Sequence, residues 1–441
     1  MKIPVDPPKL NEIMEQYAPS LLQWLATGAS QPDLKGEYIH WDTLRHKTPP
    51  EGLTSRTWWA SIKFARLGLK RPLPLRDKYG VPFSVSVTDN LQKSLHYIDR
   101  EAAGAIQGME RSGGQGRFLI RSLIEESMTS SQLEGAATTR VVAKEMLSTG
   151  RQPRDQSERM IYNNHVTMKV IRERGKRAFT VDEILELHAM LTAGTLESED
   201  DCGKLRTAED NVLIFDRSTD RVLHTPPPAI EVRDRLQALC DFANGKDEES
   251  FVHPVIKAIA IHFQLGYDHP FCDGNGRTAR VLFYWAMMNA GYWLTEYLSI
   301  SSVLKKSPGK YMRAYLYAEH DDADMTYFIA QQLDVILESI AALHAYIIRK
   351  NEQDRRARRV LREAQVAGIE LNHRQRALLA NAIRDPDRAY TVATHQGAHQ
   401  ISYPTALSDL TALAEAGLLE RHRVGRAHEF VAVPAMAMLL Q

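Results

Sequence analysis

The run His269-Pro270-Phe271-Cys272-Asp273-Gly274-Asn275-Gly276-Arg277-Thr278-Ala279-Arg280 decides how this chain is read. Pro270 ends the preceding apolar-periodic segment near His269, because proline lacks the N–H a helix interior needs. From Arg277 onward the apolar period resumes, so a second helix is expected to begin there. The Asp-Gly-Asn-Gly stretch therefore lies at a helix N-terminus. Its glycines let the backbone approach a ligand closely. Unpaired N–H groups and the helix dipole make an anion site there. Arg277 and Arg280, three apart, share one face of the new helix, and guanidinium groups grip phosphate bidentately. Asp273 is placed to hold Mg2+ against such a phosphate. His269, with an ordinary pKa of about 6.5, can take a proton from an attacking hydroxyl. A base, a metal carboxylate, an anion loop and two arginines fit together as a phosphoryl or nucleotidyl transfer site.

Outward from this run the pattern is mainly helical. Apolar residues recur at three- and four-residue spacing over 117–133, 157–172, 181–192, 229–243, 253–267, 277–290 and 325–346. Residues 210–225 break the rule and read as two short strands around a polar turn at Asp216–Arg221, after which Pro226, Pro227 and Pro228 launch the next helix. Residues 1–92 carry Trp24, Trp41, Trp58 and Trp59 among frequent prolines, and are expected to pack on the core. Residues 350–368 are charged and read as a helical linker between a catalytic region, 93–349, and a last unit, 369–441.

That last unit reads as three helices and a hairpin. Asn372 can cap the first helix and Ser402 the third, with Pro404 in its first turn. The strands that follow turn near Gly425, and the whole suggests a winged helix-turn-helix. The fold class expected is mainly α, with a small β-hairpin and a C-terminal winged helix. The expected recognition helix, 403–417, offers Tyr403, Thr405 and Ser408 but few cations, whereas Arg421, Arg423 and Arg426 could meet phosphate. Duplex DNA is thus one candidate partner of residues 369–441, and a protein or dimer contact is the other.

With 441 residues, the length allows about three domains. Lys plus Arg balances Asp plus Glu at 55 each, so no overall basic excess points to nucleic acid or membrane. Cys202, Cys240 and Cys272 are too scattered for a disulfide framework or a cysteine zinc site. No run approaches a membrane span, and the start lacks a signal-peptide core. A cytoplasmic protein without membrane contact is expected.

The quoted run resembles the signature of the Fic family, HPFxDGNGRxxR, at every specified position. His253-Pro254 and His262-Phe263-Gln264 have family-like counterparts, and the resemblance spans roughly residues 95–345. Asp268 departs, standing where many relatives are apolar, and is expected to alter the target-side surface. The resemblance implies a mainly helical fold and transfer of AMP from ATP to a Ser, Thr or Tyr hydroxyl of a protein, the chain itself included. It implies His269 as base, Asp273 as the Mg2+ ligand, and Phe271, Gly274, Asn275, Gly276, Arg277 and Arg280 as the nucleotide and phosphate cradle. Tyr311 joins them from a helix where relatives contact the nucleotide, and the hairpin at 210–225 corresponds to a flap that aligns the target by strand pairing.

A second run, Ser130-Ser131-Gln132-Leu133-Glu134-Gly135, resembles the family's inhibitory motif, (S/T)xxxE(G/N), within an expected helix over about 117–135. Glu134 is expected to pair with Arg280 and to occupy the place of the γ-phosphate. The same residues suit removal of AMP from a modified protein, and the last unit keeps open a nucleotide-sensing transcriptional regulator. Oligomeric state is open at this stage, a homodimer coupled to the inhibitory helix included.

Overall fold

The apolar segments on either side of the motif fold as helices buried on nearly every face, and the other helices gather around them. The computed structural model describes residues 3–25, 30–103, 115–216, 219–246, 250–366, 371–384, 388–424 and 427–433. The chain divides into two units, Met1–Ala341 and Ala342–Gln441.

In chain order, the first unit begins with α1 (Leu10–Leu25), α2 (Trp41–Leu44), α3 (Ser55–Leu67) and a hairpin of β1 (Lys70–Arg76) and β2 (Pro82–Ser86). There follow α4 (Asp89–Ala102), α5 (Gln115–Leu133), α6 (Arg140–Thr149), α7 (Gln156–Arg174) and α8 (Val181–Thr192). A second hairpin, β3 (Ile214–Asp216) and β4 (Arg221–His224), precedes α9 (Val232–Ala243). The motif joins α10 (Pro254–Asp268) to α11 (Asn275–Asn289), and α12 (Ile300–Leu304), α13 (Pro308–His320) and α14 (Thr326–Val366) complete the series. The architecture is mainly helical with a small hairpin within 210–225, as the sequence leads one to expect, and the β1–β2 hairpin is a further one it did not indicate.

Helix α10 starts where Pro254 takes the first helical position and His253 accepts from the Val255 N–H at 3.3 Å. Val255, Ile256, Ile259, Ile261, Phe263 and Leu265 are all buried, so this helix is apolar around its whole circumference, as a central helix must be. Its partner α11 buries Val281 through Met287 and packs on α5, α7 and α8, while α9 covers α10. Helix α5 lies against α7 and α12. The short α10–α11 connection thus sits at one end of a solid apolar pair.

Three boundaries differ from expectation. Helix α11 begins at Asn275, not Arg277, because Gly274 takes up φ +83° and supplies the left-handed cap ahead of it. Gly276 is therefore inside the first helical turn. Helix α5 ends at Leu133, so Glu134 and Gly135 form its terminating turn, with Gly135 at φ 106°. The 229–243 segment opens with a 3-10 turn, Ala229–Glu231, before α9. Trp58 and Trp59 are buried in a cluster with Ile13, Ile39, Leu44 and Ile62 of their own segment. Polar contacts link that segment onward: Lys63 Nζ to Asp321 at 2.7 Å and Arg66 Nη1 to the Tyr327 hydroxyl at 2.8 Å.

The second unit holds α15 (His373–Arg384), β5 (Tyr390–Thr391), α16 (Val392–His399), α17 (Tyr403–Glu415) and the pair β6 (Leu419–Val424) and β7 (Ala427–Ala432). The strands form one antiparallel sheet in the order β5-β7-β6. Leu378, Leu379, Ala406, Leu410, Leu413 and Phe430 make its core. Asn372 caps α15 by accepting from the Gln375 N–H at 2.9 Å. Gly425 and Arg426 lie outside the described residues. Among the described residues no helix is long and apolar enough to cross a membrane.

Candidate active site

His269 closes α10 in the left-handed region, at φ 46° and ψ 58°, a conformation rare for residues other than glycine. Its N–H still reaches Leu265 O at 3.0 Å. The turn folds the ring back on the helix, where Nδ1 lies 3.0 Å from Gly266 O. A carbonyl can only accept, so Nδ1 carries the proton and Nε2 keeps its lone pair. Burial lowers the His269 pKa and outweighs the bond to Gly266, which acts in the opposite sense. The imidazole is thus neutral at pH 7, with its basic atom at Nε2.

The loop after His269 is tied to itself. The Asn275 amide accepts from the Phe271 N–H at 3.0 Å and donates to Phe271 O at 2.8 Å. The Phe271 ring is fully buried and stacks on His188 of α8, with centroids 3.7 Å apart and planes 8° from parallel. Gly203 N–H donates to His188 Nδ1 at 3.1 Å, so Nε2 carries the proton and donates to Asp273 O at 2.9 Å. Burial lowers the pKa of His188 to about 4, which keeps this tautomer uncharged. Gly274 must be glycine: a Cβ there would stand 2.6 Å from Thr192 Cγ2. The Phe271 and Asn275 side chains thus brace the loop. The Asn275, Gly276 and Arg277 N–H groups are first-turn donors of α11 with no side-chain cap, unpaired among the described residues.

Glu134 lies over that turn. A Cβ on Gly276 would collide with Glu134 Oε1, and would stand 3.1 Å from Arg280 Nη1. Arg280, buried within α11, donates from Nη2 to Glu134 Oε1 at 2.7 Å and to Ser130 O at 3.0 Å, and from Nε to Ser130 Oγ at 2.9 Å. It thereby satisfies one of the last carbonyls of α5 as well as the carboxylate. Burial alone would raise the Glu134 pKa, but the charge and hydrogen bond of Arg280 outweigh it and hold the group below its usual range. Arg277 is fully buried, with Nη1 donating to Leu191 O at 3.1 Å and Nη2 3.5 Å from Asp273 Oδ2, and its Nε has no partner among the described residues. The Asp273 side chain is 60 % exposed and accepts from the Gly274 N–H at 2.6 Å. The Tyr311 hydroxyl pairs with His262 Nε2 at 2.8 Å, so the ring forms part of the wall beside Arg280.

Residues 178–287 match the family model of the Fic/DOC family. The likeness is to a Fic domain, and it falls on the segment that holds the motif. Its relatives include protein adenylyltransferase Fic of Nematostella vectensis, 34% identical over 115 residues that make up 26% of this chain and 24% of that protein. Protein adenylyltransferase fic-1 of Caenorhabditis elegans is 33% identical over 114 residues, 26% of this chain and 20% of the other. The chain thus spans about a quarter or less of the length of these curated relatives. A solved Fic family protein from Desulfovibrio desulfuricans G20 shares the fold, at a TM-score of 0.50 and 20% identity, with 78% of this chain and 97% of that one covered.

Around the motif, sequence reasoning missed His188 and Arg206. Arg206 stands between β3 and the end of α8, and its Nε donates to His269 O at 2.8 Å. Its Nη2 donates to Pro227 O at 2.5 Å and Asp268 O at 3.4 Å, and its N–H to Pro270 O at 2.9 Å. Asp268 is buried and faces inward, where Arg235 Nε meets Oδ1 at 2.7 Å, so it does not belong to a target-side surface. The β3–β4 hairpin forms within residues 210–225, with Phe215 and Val222 exposed, and its turn at 217–218 lies outside the described residues.

Proposed function

We propose that this protein transfers AMP from ATP to a protein hydroxyl and that Glu134 restrains it. The observation that carries the reading is the meeting of a neutral, outward-basic His269 with the unpaired N–H groups of α11 and two buried arginines. His269 Nε2 takes the proton as the hydroxyl oxygen attacks the α-phosphorus. The bond from that phosphorus to the bridging oxygen breaks, and pyrophosphate leaves. The α11 N–H groups stabilise the charge that grows on the α-phosphate oxygens. Arg277, with an unpaired buried Nε, and Arg280 suit the β- and γ-phosphates. Asp273 fits Mg2+: one exposed carboxylate beside phosphate oxygens is the usual donor set for this ion, which when bound neutralises phosphate charge.

Glu134 supports the restraint by standing on Gly276 with Arg280 as its partner. A γ-phosphate needs the same guanidinium, so ATP entering beside Glu134 holds its phosphates out of line. The test is intact-mass analysis after incubation of wild type, Glu134→Gly and His269→Ala with Mg2+ and ATP. A gain of AMP mass in Glu134→Gly, weak in wild type and absent in His269→Ala, is expected. No gain in any of the three refutes transfer to self. Loss of AMP from a pre-labelled protein instead would favour the reverse direction.

For the second unit, the order of three helices and a terminal strand pair supports a winged helix-turn-helix. The exposed Arg421 and Arg423 of β6 are its candidate phosphate contacts, since α17 carries no Lys or Arg.

A further inference from the structure

His269 holds a left-handed backbone, which is strained for a non-glycine residue. Such a conformation persists only where the surroundings enforce it. Beside the bonds of His269 to Leu265 O and Gly266 O, Arg206 enforces it here. Arg206 donates to three successive carbonyls, those of Asp268, His269 and Pro270, and its remaining guanidinium contact is Pro227 O, three residues beyond β4. We propose that Arg206 is the positioning residue that locks the base and the exit of the flap into one frame, so that a target strand aligned on the flap presents its hydroxyl to His269 Nε2. This rests on the AMP-transfer reading above.

The residue type fits the task. Nε and Nη2 project from a rigid planar fork, so two carbonyls from different segments are held at a fixed separation. A lysine keeps the charge but has a single compact head and cannot reproduce that spacing. All the hydrogen bonds of Arg206 go to residues 227 and 268–270, away from Gly276, Arg277, Arg280 and Glu134, so nucleotide binding does not depend on it. The charged and titratable groups that act on His269 are His224 from the flap, Glu134 from the end of α5 and Arg206. Arg206 and His224 disfavour its protonation, and Glu134 favours it. Removal of the Arg206 charge therefore raises the His269 pKa and moves the acid limb of the rate to higher pH.

The test uses the full chain with Glu134→Gly as parent, adding Arg206→Gln or Arg206→Lys. ATP affinity is measured by calorimetry, and AMP transfer by self-labelling across pH. A displacement of the base by about 1 Å predicts transfer slowed about 100-fold in Arg206→Gln at unchanged ATP affinity, with the acid limb moved up. Arg206→Lys is expected to be slowed less, with the limb unmoved because the charge remains. Transfer by Arg206→Gln at the parent's rate overturns the inference. So does loss of ATP binding in both variants, which would make Arg206 a plain folding residue. A parent that never labels overturns the transfer reading itself, and this inference with it.

Discussion

Replacing Glu134 by glycine should tighten ATP binding as well as accelerate transfer, and the amount follows from one contact. Glu134 Oε1 meets Arg280 Nη2 at 2.7 Å, with Arg280 buried and the Glu134 side chain 25 % exposed. A hydrogen bond to a charged group contributes about 1.5–3 kcal/mol. If the γ-phosphate must break that bond to reach Arg280, its removal strengthens ATP binding by about 10- to 150-fold, at about 1.4 kcal/mol per decade. The free variant should also be less stable than wild type, because Arg280 keeps Ser130 O and Oγ but loses its counter-charge. ATP should then raise the melting temperature of Glu134→Gly more than that of wild type. Calorimetric titration with ATP and thermal unfolding with and without it measure both effects. Equal ATP affinity and equal melting in the two proteins would show that Glu134 does not compete for Arg280.

The pH dependence has a defined sign. Glu134 is held below its usual range, so its contribution is complete above its unfolded pKa of about 4.5 and is lost as pH falls through the lower folded value. The brake should therefore persist throughout the neutral range. Transfer by Glu134→Gly should decline only below the ordinary histidine pKa of about 6.5, since burial lowers that of His269; a decline centred above it would contradict the neutral base. His188→Ala removes a buried ring and its bonds to Gly203 and Asp273, and should cost about 2–4 kcal/mol of stability by denaturant titration. It should also weaken Mg-ATP binding; unchanged affinity would deny that His188 sets Asp273. If residues 369–441 bind duplex DNA, the full chain's affinity should fall steeply with salt, and Arg421→Ala with Arg423→Ala should flatten the slope by about two.

The chemistry of the Fic motif was legible because it is contiguous: base, carboxylate, glycines and arginines share one short stretch. The residues that hold it were not. His188 reads as a core histidine on an apolar helix face, and Arg206 as one charge in a loop, because their partners are backbone groups remote in sequence. Asp268 seemed a surface departure, yet its charge is met by Arg235, which also donates to Arg76 O and Asp77 O. Phe271 and Asn275 stand within the phosphate-binding run, and nothing in the sequence shows that their side chains also brace the loop. Their roles in the loop became visible only when Asn275 was seen to fold back on Phe271 and Phe271 to stack on His188.

Glu134 is held by groups suited to a phosphate, and this separates two accounts of the restraint. At the C-terminal end of α5 its own helix dipole disfavours it, while the N-terminus of α11 and Arg280 favour it. If charge alone restrained ATP, aspartate would serve as well as glutamate. If the carboxylate must also fill the space on Gly276, the methylene lost in Glu134→Asp withdraws it from both Gly276 and Arg280 Nη2. The geometry favours the second account, because Oε1 stands where a Cβ of Gly276 would be. Glu134→Asp should then label at a rate between wild type and Glu134→Gly, and bind ATP with intermediate affinity. A Glu134→Asp protein as silent as wild type would mean that the restraint is electrostatic and indifferent to where the carboxylate rests.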